Sequence, residues 1–175
     1  MAPHVFVDES KERRYYLAAV VVPATDLALS RQAIGALVMP RQRRIHFSSE
    51  SDPRRNKILD TIIDLGLTAT IYDAGRPADE RSARRACLSR LVVDLAEMRA
   101  ERLVLELDEA AVKADKELLY AAVRSVRAVD TLRYDHLRAR EECLLAVPDA
   151  IAWSWARGGA WRLKVEAIVT ALRQV

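Results

Sequence analysis

The chain has 175 residues, of which 51% are apolar and 30% charged, enough for one domain with its own core and too regular a composition for a disordered chain. Lys and Arg number 28 against 25 Asp and Glu, a net charge of +3, too small an excess to mark a nucleic-acid binder by itself. The longest apolar run, Tyr15 to Ala24, covers ten residues and contains Pro23, whereas a bilayer-spanning helix needs about 20.

His4 to Asp8 alternates as a short strand, with Phe6 and Asp8 on one face and Val5 and Val7 on the other. A polar link, Glu9 to Arg14, leads into Tyr15 to Val22, a continuous apolar run of the kind buried on both sheet faces. The link has hairpin length, so the two strands are expected to pair antiparallel. Thr25 or Asp26 caps a helix whose apolar face is Leu27, Ile34, Leu37 and Val38. Arg43 to Ser48 reads as a strand, and Asp52-Pro53 opens a second helix with Ile58, Leu59, Ile62 and Ile63 inward, stopped by Gly66.

Leu67 to Asp73 alternates as a strand, and a third helix spans about Asp79 to Arg99. Arg102 to Asp108 is a strand placing Val104, Glu106 and Asp108 on one face. A fourth helix carries Leu118, Leu119, Ala122, Val123 and Val126, and Thr131 to Arg138 reads as a last strand. Pro148 begins a helix that Gly158-Gly159 ends, and Trp161, Val165, Ile168, Val169 and Leu172 recur at near-helical spacing. An antiparallel start followed by βα alternation implies an α/β fold, a mixed sheet with helices on both faces.

Acidic residues mark a place for chemistry. Asp8 ends the first strand, Glu106 lies inside another apolar strand, and Asp149 opens a helix within the apolar segment Leu144 to Trp155. Ligands bind at strand ends of α/β sheets. Carboxylates gathered there repel unless a cation separates them, and Mg²⁺ or Mn²⁺ takes such oxygen ligands. Each acid also has a structural reading: a turn for Asp8, a helix cap for Asp108, a helix-dipole partner for Asp149.

Three segments give this pattern a family context. Val5-Phe-Val-Asp-Glu-Ser10, Arg102-Leu-Val-Leu-Glu106 and Leu144-Leu-Ala-Val-Pro-Asp-Ala-Ile-Ala-Trp153 resemble the DUF3800 family of bacterial proteins over residues 4 to about 157. That resemblance implies one RNase H-like domain over 1–175, with C-terminal helices from about 148 to 175 packed on it. It also implies a metal-dependent nuclease that uses Mg²⁺ or Mn²⁺, with Asp8, Glu106 and Asp149 as catalytic metal ligands and nucleic acid as partner. The chain departs from the family at Lys11, where glycine is usual, and at Ala146 to Pro148, where Gln and Ala usually precede the aspartate. Asp108, Asp73 and Glu50 are alternative ligands.

His46 stands where the family often has a polar residue, either as a phosphate contact or proton carrier, or as a structural hydrogen-bonder. Arg43 and Arg44, with Arg41, Arg54 and Arg55, form the densest basic patch, suited to a phosphate backbone or to solvent. Arginine supplies 23 of the 28 cations, a bias that suits phosphate but equally accompanies the codon usage behind 28 alanines. Trp153, Trp155 and Trp161 are expected to pack the C-terminal helices, and His136, Glu141 and Glu142 to lie at the surface. No Walker loop, dinucleotide glycine signature, paired Cys/His spacing or nucleophile elbow occurs. The N-terminal Met-Ala-Pro-His lacks a signal-peptide pattern, and a cytoplasmic protein is expected. The apolar stripe beyond Trp161 is expected to pack back on the sheet, with a homodimer as the other outcome. The alternative to a nuclease is a non-catalytic module of the same fold that binds nucleic acid or protein.

Overall fold

A computed structural model describes residues 2–175. Six strands, β1 (His4–Ser10), β2 (Tyr16–Val22), β3 (Thr68–Asp73), β4 (Arg102–Glu106), β5 (Arg133–Leu137) and β6 (Val169–Gln174), form one sheet in the order β5-β4-β1-β2-β3-β6. β1 pairs antiparallel with β2, bringing Asp8 opposite Ala18, and parallel with β4, matching Val7 to Leu105. The next position along this register sets Asp8 beside Glu106. Both expected neighbours of the first strand are therefore present, the antiparallel hairpin and the parallel Glu106 strand.

Two apolar layers cover the sheet. Val5, Val7, Leu103 and Leu105 pack with Leu88, Leu91, Val92 and Leu95 of α3 (Glu80–Glu97) and with Leu119 and Val123 of α4 (Val112–Ser125). Phe6, Ala18, Val20 and Val104 pack on the opposite face, among residues from α1 (Leu27–Gly35), α2 (Asp52–Asp64), α5 (Ala146–Arg157) and α6 (Gly159–Glu166). The strict alternation of β1 and β4 divides their side chains between the two layers. α5 crosses β1 and β2 with Ala146, Val147, Ala150, Ile151 and Ala152 buried. Its alanines allow close approach of helix to sheet, which carries Asp149 to the end of β1.

Two expected elements differ. Arg43 to Ser48 is not a strand: it is irregular, with a single 3-10 turn over Phe47–Ser49. Ile45 and Phe47 are buried at 2% and 0% exposure, so the alternation is real, but they seat a loop against the helical layer instead of joining the sheet. The C-terminal segment is not helical throughout. α6 stops at Glu166, and Val169–Gln174 adds the edge strand β6, parallel to β3 with a register shift between Ala69 and Thr70. The near-helical spacing from Trp161 to Leu172 combined a helix face with a β-branched strand, and β6 covers an otherwise open edge of β3. The segment thus packs within the chain. Gly66, which ends α2, has φ +67°, a conformation that disfavours side chains with a Cβ. Among the described residues no helix is long and apolar enough to cross a membrane.

Candidate functional site

Asp8, Glu106 and Asp149 come from β1, β4 and the first turn of α5, and all three lie on the face that carries α5. Asp8 is largely removed from water. Its Oδ1 accepts the Glu9 backbone N–H at 2.8 Å, and among the described residues no cation forms an ion pair with it. Burial, together with the charges of Glu9, Asp149 and Glu106, pushes its carboxyl well above the ordinary aspartate value of 3.8. Glu106 is also raised, by burial and by Asp149 and Glu9, with Arg44 opposing. Burial raises Asp149 as well, against the opposing hydrogen bond from Phe47 and the charges of His46 and Arg44.

The loop from Arg43 to Ser49 closes over these acids. Arg44 Nη1 donates to Glu106 Oε1 at 2.8 Å, the Phe47 N–H donates to Asp149 Oδ2 at 2.9 Å, and His46 Nδ1 stands 3.7 Å from the same oxygen. Ser48 Oγ lies 3.0 Å from His46 Nε2. Arg55 fixes the loop by donating to the carbonyls of Phe47 and Ser48 at 3.0 and 2.7 Å, and its guanidinium lies over Trp153, 4.5 Å from the ring centroid. Trp153 meets Phe47 and Trp161 edge to face, at 5.2 and 5.5 Å between centroids, in the packing role expected of these tryptophans.

The donor set suits Mg²⁺ or Mn²⁺ in kind: three carboxylates and no thiolate, with Asp8 part-buried beside like charges and without a countercharge among the described residues. It is not drawn together, however. Among the described residues no three His, Cys, Asp or Glu side chains converge closely enough to hold an ion. Arg44 engages one of the acids, and the loop backbone engages another.

The alternative ligands are committed elsewhere. Asp73 ends β3, two strands from β1, where it receives Arg14 at 2.9 Å, the Gly75 N–H and Gln174. Burial raises its carboxyl, but Arg14 and the Gly75 N–H outweigh that and hold it below the ordinary value. Asp108 lies beyond β4 and makes a turn before α4, accepting the Ala110 N–H with its side chain and the Val112 N–H with its carbonyl. Glu50 is buried and receives Gln42 and Arg54. Arg43 reaches no carboxylate among the described residues.

Two expectations about surface residues are corrected. The His136 side chain is only 4% exposed, with Nε2 3.1 Å from Asp115 Oδ2. Glu142 is buried and takes a forked contact from Arg31, while Glu141 is exposed. On the far side of the sheet Arg84 joins Asp115, with two bonds of 2.8 Å, to Glu9 at 2.8 Å. This network backs the residue next to Asp8 and borders a cleft of about 730 Å³ between α3 and α4. Sequence reasoning missed both this network and the Arg44–Glu106 pair. Arg84 is one of four arginines on α3, and its partners lie 31 and 75 residues away, so no local pattern marks it.

The sheet order and the two covering layers define an RNase H-like α/β fold. Solved structures with this fold include RNase HII of Archaeoglobus fulgidus in its complex with PCNA, with a TM-score of 0.60 at 13% identity, covering 94% of this chain and 78% of that one. Bst-RNase HIII in complex with Mn²⁺ matches with a TM-score of 0.55 at 14% identity, over 87% of this chain. This chain spans about half of that protein, 51%. No family model and no curated protein matches the sequence.

Proposed function

We propose that this chain is a divalent-metal-dependent nuclease, a phosphodiester hydrolase whose metal ligands are Asp8, Glu106 and Asp149. The observation that carries this reading is Asp8: a part-buried carboxylate that no cation pairs with among the described residues, on the same sheet face as Glu106 and Asp149, at one strand end of an RNase H-like sheet. A bound Mg²⁺ or Mn²⁺ would activate water and stabilise the leaving oxygen. Around it the chain's own residues have separable tasks. Asp8 supplies the charge, and the Phe47 N–H orients Asp149. His46, half-exposed beside Asp149, is placed to carry a proton between site and solvent. Arg43 and Arg44 lie at the rim, where the backbone of a nucleic acid would pass. Kinship with the DUF3800 family belongs to the same reading, since two of its segments carry Asp8 and Asp149.

Cleavage of labelled RNA, DNA and hybrid duplexes, each with Mn²⁺, Mg²⁺ or chelator, tests this. Metal-dependent cleavage should fall at least about 100-fold in Asp8→Asn and Asp149→Asn, with circular dichroism unchanged. Cleavage that survives both substitutions refutes the assignment.

The Arg44–Glu106 ion pair favours a second reading, a binding module in which protein cations have replaced metal. Such a module would bind nucleic acid equally well with and without Mn²⁺ and would show no Mn²⁺-dependent rise in melting temperature.

A further inference from the structure

One recess near the acids stands apart in its charge. A notch of about 150 Å³ lies between the loop that carries Arg43 and Arg44 and the segment leading from β5 into α5. Three arginines line it, Arg43, Arg44 and Arg140, and among the described residues no carboxylate does. The cleft between α3 and α4, by contrast, holds five carboxylates against four cations, so its charges nearly cancel. In the notch they do not. Arg44 donates through Nη1 to Glu106, whereas Arg43 and Arg140 form no ion pair among the described residues. The other walls are apolar and include Ile45, Ala139 and Cys143. Burial pushes the Cys143 thiol up, which keeps it uncharged, and the neighbouring Glu142 is spent on Arg31 and the Leu144 N–H.

Two unspent guanidinium groups beside apolar walls hold an anion more strongly than the same charges in open water, because less solvent screens them. Their paired N–H groups match the oxygens of a phosphate. Size narrows the ligand further. Pockets that enclose a whole drug-sized molecule start at about 300 Å³, so a notch of about 150 Å³ admits a phosphate group and leaves the rest of its carrier outside. Position narrows it again: Arg44 lines the notch and also reaches Glu106, so the notch lies one arginine side chain from the acids. We propose that the notch is a subsite for one phosphate of a nucleic-acid backbone, gripped by Arg43 and Arg140, which makes Arg140 a substrate-binding residue. The proposal deepens the nuclease reading, on which the choice of a nucleic acid over free phosphate rests. A strand seated there passes Arg44 on its way to the acids, so the subsite fixes its register at the place of cleavage.

Binding measured without cleavage tests this. Fluorescence anisotropy of labelled RNA, DNA and hybrid duplexes, in EDTA and over a range of KCl, compares wild type with Arg43→Ala, Arg140→Ala and the double variant. Arg85→Ala is the control, since it removes an exposed, unpaired arginine of α3 on the other side of the sheet. Arg43→Ala and Arg140→Ala should each weaken binding about three- to tenfold, while Arg85→Ala binds as wild type does. Because both arginines grip one phosphate, the double variant should lose less than the product of the single losses. All the replaced side chains are exposed, and circular dichroism checks that the fold is kept. Wild-type affinity in Arg140→Ala overturns the subsite, as does an equal loss in Arg85→Ala or a double loss equal to the product. Melts in inorganic phosphate against chloride at matched ionic strength separate the second source. A rise in melting temperature that the double variant abolishes, with nucleic-acid affinity unmoved, makes the notch a free-phosphate site and overturns the strand contact. A wild type that binds none of the duplexes also overturns it. If the arginine variants weaken binding but wild type cuts nothing with Mn²⁺, the subsite stands and the nuclease reading falls. If cleavage needs Asp8 and Asp149 while Arg140→Ala changes neither affinity nor KM, the subsite falls alone.

Discussion

Replacing Asp8 with asparagine keeps the side-chain shape and the acceptor for the Glu9 N–H, and removes only the charge. The structure sets the size of the effect. Asp8 and Glu106 follow the last matched pair of neighbouring strands, Val7 and Leu105; strands lie about 4.8 Å apart, and two charges roughly 5–7 Å apart at an effective dielectric of about 20 repel by roughly 2–3 kcal/mol. Arg44 offsets part of Glu106, which leaves a net gain for Asp8→Asn of about 1–2 kcal/mol in the metal-free protein. At about 2–4 °C per kcal/mol for a chain of this size, the melting temperature should rise by roughly 2–8 °C at pH above the folded value of Asp8.

The sign follows from linkage. The folded-state value of Asp8 is raised, so wild-type stability is greatest at or below the ordinary aspartate range and declines as pH rises through the folded value. The advantage of Asp8→Asn should therefore be smallest in acid, where wild-type Asp8 is protonated, and grow as pH rises through the folded value. Calorimetric melts from pH 4 to 8, with and without Mn²⁺, measure both effects. Mn²⁺ should raise the wild-type melting temperature and leave the mutant unmoved. A mutant less stable than wild type at pH 7, or one that gains as much from Mn²⁺, refutes the account of Asp8 as an uncompensated metal ligand.

Other substitutions probe the surrounding frame. Arg84→Met leaves Asp115 with His136 alone and Glu9 with Lys11 alone, and should cost about 3 kcal/mol by urea unfolding. Burial pushes Asp115 up, but Arg84 and His136 outweigh it and hold its carboxyl below the ordinary value. The stability this provides is lost as pH falls through the folded value, so the gap between wild type and Arg84→Met should narrow in acid. Ala150→Leu adds bulk where α5 lies on the sheet and should cost about 1–3 kcal/mol, with Mn²⁺ binding weakened as Asp149 is displaced. Deleting residues 169–175 uncovers the edge of β3, and gel filtration should then show concentration-dependent association absent from the full chain.

Local pattern determined a good deal about this protein. Alternation in Val5 to Asp8 and Arg102 to Asp108 grouped Asp8 with Phe6 and Glu106 with Val104, because side chains in a strand must alternate whatever the strand pairs with; the pairing of β1 with β4 put the two on one face. Apolar stripes at helical spacing located α2, α3 and α4, because a helix must bury a stripe. The hairpin-length link after β1 determined the pairing with β2.

Tertiary structure decided the rest. The alternating segment from Arg43 to Ser48 carries a strand's pattern, yet it is a loop whose Ile45 and Phe47 are buried in the helical layer, with Phe47 against Trp153 of α5. The stripe after Trp161 was divided into α6 and β6 by the free edge of β3, a partner 100 residues away in sequence. Above all, the state of the three acids was settled by contacts no local window contains. Arg44 meets Glu106 across 62 positions and the Phe47 N–H meets Asp149 across 102, while Asp8 meets no cation among the described residues. Which residues are acidic is written in the sequence. Which of them are neutralised depends on desolvation and countercharge, and those exist only once the chain has folded.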